Sequence, residues 1–141
     1  MPSKIIRGRW AALAVLLFIV AGPGGLSARV SAGEQGLRML GALEKGQWEI
    51  RYRDGTPPAR ICLRSGRELI QLKHDAAGCN RFIVEDEPAS LTVQYTCRGN
   101  GYGRTSIRRE SPSLVQIDSQ GISGGMPFAV TAEARRVGAC G

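Results

Sequence analysis

Cys79 and Cys97 close off the stretch CNRFIVEDEPASLTVQYTC, which reads as two β-strands around a turn at DEPAS. Symmetry about Pro88 puts the two cysteines opposite each other in an antiparallel hairpin. Directly opposed Cα atoms stand about 4.5 to 5.5 Å apart there, within reach of a disulfide. The chain has four cysteines, Cys62, Cys79, Cys97 and Cys140, so this pairing leaves Cys62 to bond Cys140. The apolar pattern pulls against the register by one residue. Leu91, Val93 and Tyr95 share a face with Cys97, whereas Phe82 and Val84 are of opposite parity to Cys79. Bringing Phe82 opposite Tyr95 and Val84 opposite Val93 requires a bulge around Gly78 to Arg81. The gaps of 17, 18 and 43 positions between successive cysteines fit neither a Cys-x-x-Cys redox site nor the two close pairs of structural zinc. The thiols are therefore read as staples.

Disulfides imply an oxidising compartment, and the N-terminus carries a matching address. Lys4, Arg7 and Arg9 precede the apolar run WAALAVLLFIVAG, which meets Gly22, Pro23, Gly24 and Gly25 well before the roughly 20 apolar residues a membrane span requires. Val30 and Ala32 supply a cleavage pattern, with Ala28 as a second site. The expected organisation is a signal peptide over residues 1–32 and one disulfide-stapled β-domain over 33–141. The formal net charge of +7 falls to +3 once the four basic residues of the signal, Lys4, Arg7, Arg9 and Arg29, are removed. A charge this small does not point to nucleic acid. The membrane is met only in transit, through the signal.

Along the mature chain, Leu37, Leu40 and Leu43 suit a short helix, interrupted by Gly36 and Gly41. QWEIRYR alternates, with Trp48, Ile50 and Tyr52 on one side, and RICLR is a second short strand. Ser65 and Glu68 form a capping-box pattern that predicts a short helix over 66–73. After the cysteine hairpin, GRTSIRRE, LVQIDSQG and PFAVTAEARR read as three further strands, separated by SPS and GISGGMP. The fold class is thus mainly β, an antiparallel meander of about seven strands forming a small barrel or sandwich, with one or two short helices.

Few residues suggest chemistry. His74, the one histidine, follows the predicted helix and reads as a solvated side chain; Asp75 beside it completes no nucleophile-elbow motif. GNGYG runs into a strand and so reads as a turn, not a phosphate loop. Glu85, Asp86 and Glu87 cluster at the hairpin tip without the spacing of a calcium loop. The most suggestive group sets Trp48, Tyr52, Tyr95 and Tyr102 beside Arg51, Arg104, Arg108 and Arg109. Aromatic rings with guanidinium groups suit an amphipathic anion such as a lipid or glycan fragment, so Trp48, Tyr52, Tyr95, Arg104 and Arg108 are the candidate ligand-binding residues. The ordinary alternative makes the aromatics core and the arginines a solvated face.

Gly46-x-Trp48-Glu49 at the start of the mature fold, the four cysteines, the Gly-rich strands and the closing Gly138-x-Cys140 together resemble the bacterial exported family catalogued as domain of unknown function 3617. The resemblance spans roughly residues 43–140. The stretch before the first cysteine, DGTPPAR, departs from the commoner family pattern in lacking methionines. The resemblance implies a periplasmic or secreted protein with structural cysteines, and it carries no catalytic residues over. The expected role is a non-catalytic binding or interaction module of the cell envelope, with no cofactor and no metal, acting on an envelope protein. The alternative is a carrier that holds a small amphipathic or anionic ligand in a curved sheet. A hydrolytic enzyme is a third reading, unsupported by any set of acid, base and nucleophile.

Overall fold

The computed structural model describes residues 37–74 and 78–141. The expected signal peptide over residues 1–32, its expected cleavage site and Asp75 lie outside them. The short helix α1 (Arg38–Gly41) is followed by β1 (Gly46–Tyr52), β2 (Ala59–Leu63), a 3-10 turn (Arg67–Leu69), β3 (Cys79–Asp86), β4 (Ser90–Cys97), β5 (Gly101–Ser111), β6 (Leu114–Ser123) and β7 (Met126–Gly138). The seven strands form one open antiparallel sheet in the order β2-β1-β7-β6-β5-β4-β3. β3 to β7 are a continuous meander, and the β1–β2 hairpin joins it by pairing β1 with β7. Both expected disulfides are present, Cys62–Cys140 and Cys79–Cys97.

Period-two alternation decides the layering, because successive side chains of a strand point to opposite faces. Ile50 of β1, Leu91 and Val93 of β4, Ile107 of β5, Val115 and Ile117 of β6, and Ala132 and Ala134 of β7 are all buried on one face. Met39 and Leu40 of α1, Leu69 of the 3-10 turn and Ile70 just after it join the same cluster. The opposite face carries Glu49, Arg51, Gln94, Arg104, Gln116, Asp118 and Glu133 and faces solvent. α1 is held at its start by Asp86, whose carboxylate accepts from the amides of Arg38 (3.0 Å) and Met39 (3.4 Å). Trp48 is fully buried and donates its indole N–H to the Glu44 carbonyl (2.9 Å), which satisfies the polar end of a large core side chain.

Three local expectations change. The bulge in the cysteine hairpin lies between Ile83 and Glu85, not around Gly78 to Arg81. Cys79 pairs with Cys97 and Phe82 with Gln94, so the disulfide fixes the register from its own end and the irregularity is displaced to the far end. Phe82 consequently points away from the core and is 69% exposed. The helix expected over 66–73 is only the 3-10 turn at Arg67–Leu69. Glu68 does accept from the Ser65 amide (3.2 Å) as a capping box requires. Gly66, however, takes a left-handed φ of 84°, and the chain then descends onto the sheet. A Cβ at Gly66 would stand 2.8 Å from the Leu40 Cβ, so glycine is what lets this turn lie against α1.

Candidate functional site

The third change concerns His74. It is buried at 7% exposure, not solvated. The strands leave it a place: Tyr95, Gly103, Gly121 and Phe128 are successive partners across β4, β5, β6 and β7, so two glycines stand in the middle of an inward-facing row. A Cβ at Gly103 would collide with the Tyr95 hydroxyl and one at Gly121 with the Tyr102 carbonyl. Tyr95 lies over the glycine at its side, and the His74 ring meets Tyr95 and Phe128 edge-on, with centroids 5.2 and 5.7 Å away. His74 Nε2 lies 3.0 Å from the Ile122 carbonyl and 3.2 Å from that of Asn100. Carbonyls only accept, so Nε2 carries the hydrogen, and in the neutral ring Nδ1 accepts from the Tyr95 hydroxyl at 3.2 Å.

The neighbouring row is polar at its centre in the same way. Thr105 and Ser119 lie 2.7 Å apart, and Thr105 donates to the Ile70 carbonyl at 2.6 Å. Burial pushes the Tyr95 phenol above its ordinary value, while the Ser119 and Thr105 hydroxyls nearby partly oppose this. These contacts tie the segment crossing from β2 to β3 onto the sheet. Both ring nitrogens of His74 are used in doing so. Among the described residues, no three His, Cys, Asp or Glu side chains converge on a metal site.

The structure divides the candidate ligand-binding residues between the two faces. Trp48 and Tyr95 are core. Tyr52 is half-buried at the end of β1, its ring 5.8 Å from the Lys73 ammonium, and burial raises its phenol's pKa with a further contribution from the charge of Asp54. Arg104 and Arg108 stand on the outer face. Arg108 pairs with Glu110 at 3.2 Å. A pocket built by all five does not form, since a sheet separates Trp48 and Tyr95 from the two arginines.

What does form is a stripe across the outer face. Phe82, Gln94, Arg104, Gln120 and Ala129 are partners in sequence across β3 to β7, and Tyr102 stands one outward position along β5 from Arg104. Three depressions follow this stripe. One of about 380 Å³ is lined by Gln94, Tyr102, Arg104 and Gln120, over Gly103, Gly121 and Phe128. One of about 250 Å³ lies between Arg104, Ser106, Asp118, Gln120 and Thr131, where Thr131 donates to Asp118 at 2.9 Å. One of about 300 Å³ is bordered by Asn80, Arg81, Phe82, Gln94 and Thr96. Gln94, Arg104 and Gln120 are each shared by two of them. Tyr102 is 52% exposed and, with Phe82, offers an open ring face at this surface. Phe82, Gln94 and Gln120 escaped the sequence reading, because an apolar Phe82 was assigned inward. The register fixed by Cys79 and Cys97 already contained the signal, since it places Phe82 and Gln94 opposite each other on the face away from Tyr95.

Two disulfides indicate a non-reducing, extracytoplasmic environment. No helix among the described residues is long and apolar enough to cross a membrane. Comparison of the chain with family models, curated proteins and solved structures gave no match.

Proposed function

We propose that the protein is an exported, non-catalytic binding module of the bacterial cell envelope, of the family catalogued as domain of unknown function 3617, and that it takes its ligand on the outer face of the sheet. The observation that carries this reading is the outer stripe in which two open aromatic rings, Phe82 and Tyr102, stand beside Gln94, Arg104 and Gln120. Strand spacing near 4.8 Å and a rise near 3.4 Å per residue put the two aromatic Cα atoms roughly 12 Å apart along the diagonal. That is the reach of a short extended oligosaccharide. Apolar sugar faces stack on rings, amides serve the hydroxyls, and the planar fork of Arg104 favours a carboxylate. A carrier would need the inner face to hold its ligand, and that face is occupied by Trp48, Tyr95, Met39, Leu69 and Ile70, which favours the binding module.

The test is nuclear magnetic resonance titration of the oxidised protein with an oligogalacturonate, and with a neutral cello-oligosaccharide for comparison. Shifts at Gln94, Tyr102, Arg104 and Gln120 are expected with the acidic sugar, lost in Tyr102→Ala and retained in Arg108→Ala. Shifts confined to the inner-face residues would support the carrier instead, and absence of any shift would refute the glycan reading.

A further inference from the structure

Among the described residues β3 is an edge strand, paired only with β4, and its apolar centre is exposed. Phe82, Ile83 and Val84 are 69%, 39% and 43% exposed. Natural edge strands ordinarily carry lysine, proline or an inward charge at such positions, because their unpaired amides and carbonyls recruit other strands. Here the charges sit at the two ends: Arg81 comes before the apolar triplet, and Glu85 and Asp86 follow it. The strand is therefore self-complementary when run against itself antiparallel. Arg81 of one copy then meets the acidic end of the other, twice over, and the triplets meet in the middle. A parallel arrangement would place like charges together.

Arg81 supplies a second observation. It donates from Nε to the Gln71 side chain at 2.5 Å and makes no ion pair among the described residues. Burial holds its pKa below the ordinary arginine value, and the charge of Arg67 adds to this. An incoming carboxylate would relieve both effects. The bulge between Ile83 and Glu85 lies beside the proposed two-fold axis, so the pairing has to accommodate the same irregularity on both partners.

We infer that two copies of this chain associate through antiparallel pairing of their β3 edges, extending the seven-stranded sheet across a two-fold axis near Ile83 and Val84. This inference is independent of what the outer face binds. An eight-residue strand pair gives a small interface, so the dimer is expected to be weak and concentration-dependent.

The test uses the oxidised protein purified after export, with sedimentation equilibrium over a concentration series. The unaltered protein is expected to dimerise, and Ile83→Lys to weaken association roughly tenfold or more by putting two ammonium groups at the axis. Arg81→Glu and Glu85→Arg, each alone, set like charges together and are expected to be monomeric. An equimolar mixture of the two restores opposite charges at both ends and is expected to dimerise. Circular dichroism of each variant establishes that it is folded. A monomer at every concentration, a dimer unaffected by all three substitutions, or a mixture that stays monomeric would each overturn the inference.

Discussion

The two edges of the sheet meet the same hazard in opposite ways. β2 is five residues long, follows Pro57 and Pro58, and carries Arg60 outward next to Glu49. Its far end is bonded through Cys62 to Cys140, beyond the end of β7, so that β1 is flanked by covalently joined neighbours. β3 is eight residues long, has no proline, and shows three consecutive apolar side chains. Its disulfide joins it only to its own hairpin partner. A chain that shields one edge with short length, proline and charge, and leaves the other apolar, has made the two edges physically different objects. The most direct consequence is that disturbing β2 should cost stability, while disturbing the face of β3 should alter association.

The largest effect is expected from the staples. In the chain-entropy description, a bridge with a sequence separation of 78 stabilises by about 4.5 kcal/mol and one of 18 by about 3 kcal/mol, less where loops are nested. Replacing Cys62 and Cys140 together by serine should therefore lower the urea midpoint more than replacing Cys79 and Cys97. If the hairpin pair proved the costlier loss, β2 would not be the edge on which the fold depends. Next comes the segment that crosses between the edges. His74→Ala leaves the Tyr95 hydroxyl and the Ile122 and Asn100 carbonyls without their partner, a loss of about 1 to 3 kcal/mol. Chemical denaturation, read against an unchanged m-value, measures it.

The sequence made some of this legible for identifiable reasons. The alternation in QWEIRYR and LTVQYTC gave strands, and the symmetry of Cys79 and Cys97 about Pro88 gave their pairing, because a period of two and a covalent length are both strict. Phe82 misled because hydrophobicity alone assigns a side chain to the core, whereas register is set by the disulfide and leaves Phe82 facing out. The short helix at 66–73 failed because a capping box specifies a start and says nothing of length, and Gly66 bends the chain at once. His74 was illegible: its partners are carbonyls 26 and 48 residues away, on the Gly-rich ends of β5 and β6, and no local pattern announces them. The outer stripe was half legible. Arg104 was singled out, but its neighbours Gln94 and Gln120 become neighbours only through strand pairing.

The β3 side should also report itself at high pH. Tyr95 stands opposite Arg81 and is fully buried, and burial raises its phenol. A group whose folded pKa is raised contributes stability fully present below its unfolded value, about 10 for tyrosine, and lost as pH climbs through the raised value. Tyr95→Phe should thus cost about 1 kcal/mol at neutral pH through its lost bond to His74 and flatten the fall in stability above pH ~10. Tyr52, raised in the same direction but only half-buried, should leave the smaller residual slope. A midpoint that falls with the same alkaline slope in Tyr95→Phe would show that the buried row is not what titrates.

The smallest effect belongs to the guarded edge at low pH. Glu49 of β1 is hydrogen-bonded by Arg51 at 2.8 Å and by Arg60 of β2 at 3.4 Å. Its pKa is held below the ordinary carboxylate value, first by the Arg51 hydrogen bond; burial is the next largest effect and opposes it, and the charges of both arginines and the Arg60 hydrogen bond add to the lowering. A depressed carboxylate contributes stability that is present above its unfolded pKa and lost as pH falls through the folded one. Both arginines are well exposed, so solvent and salt screen the pairs, and Glu49→Gln should barely move the urea midpoint at neutral pH. It should instead reduce the slope of midpoint against pH on the acid side, and added salt should reproduce that reduction in the unaltered protein. Asp54, lowered mainly by the Thr56 amide, titrates in the same direction but away from the edge, so Asp54→Asn separates a local turn from the β1–β2 contact. If Asp54→Asn removed the acid slope and Glu49→Gln did not, charge at the β2 edge would serve only to repel other strands, and its cohesion would come from the disulfide alone.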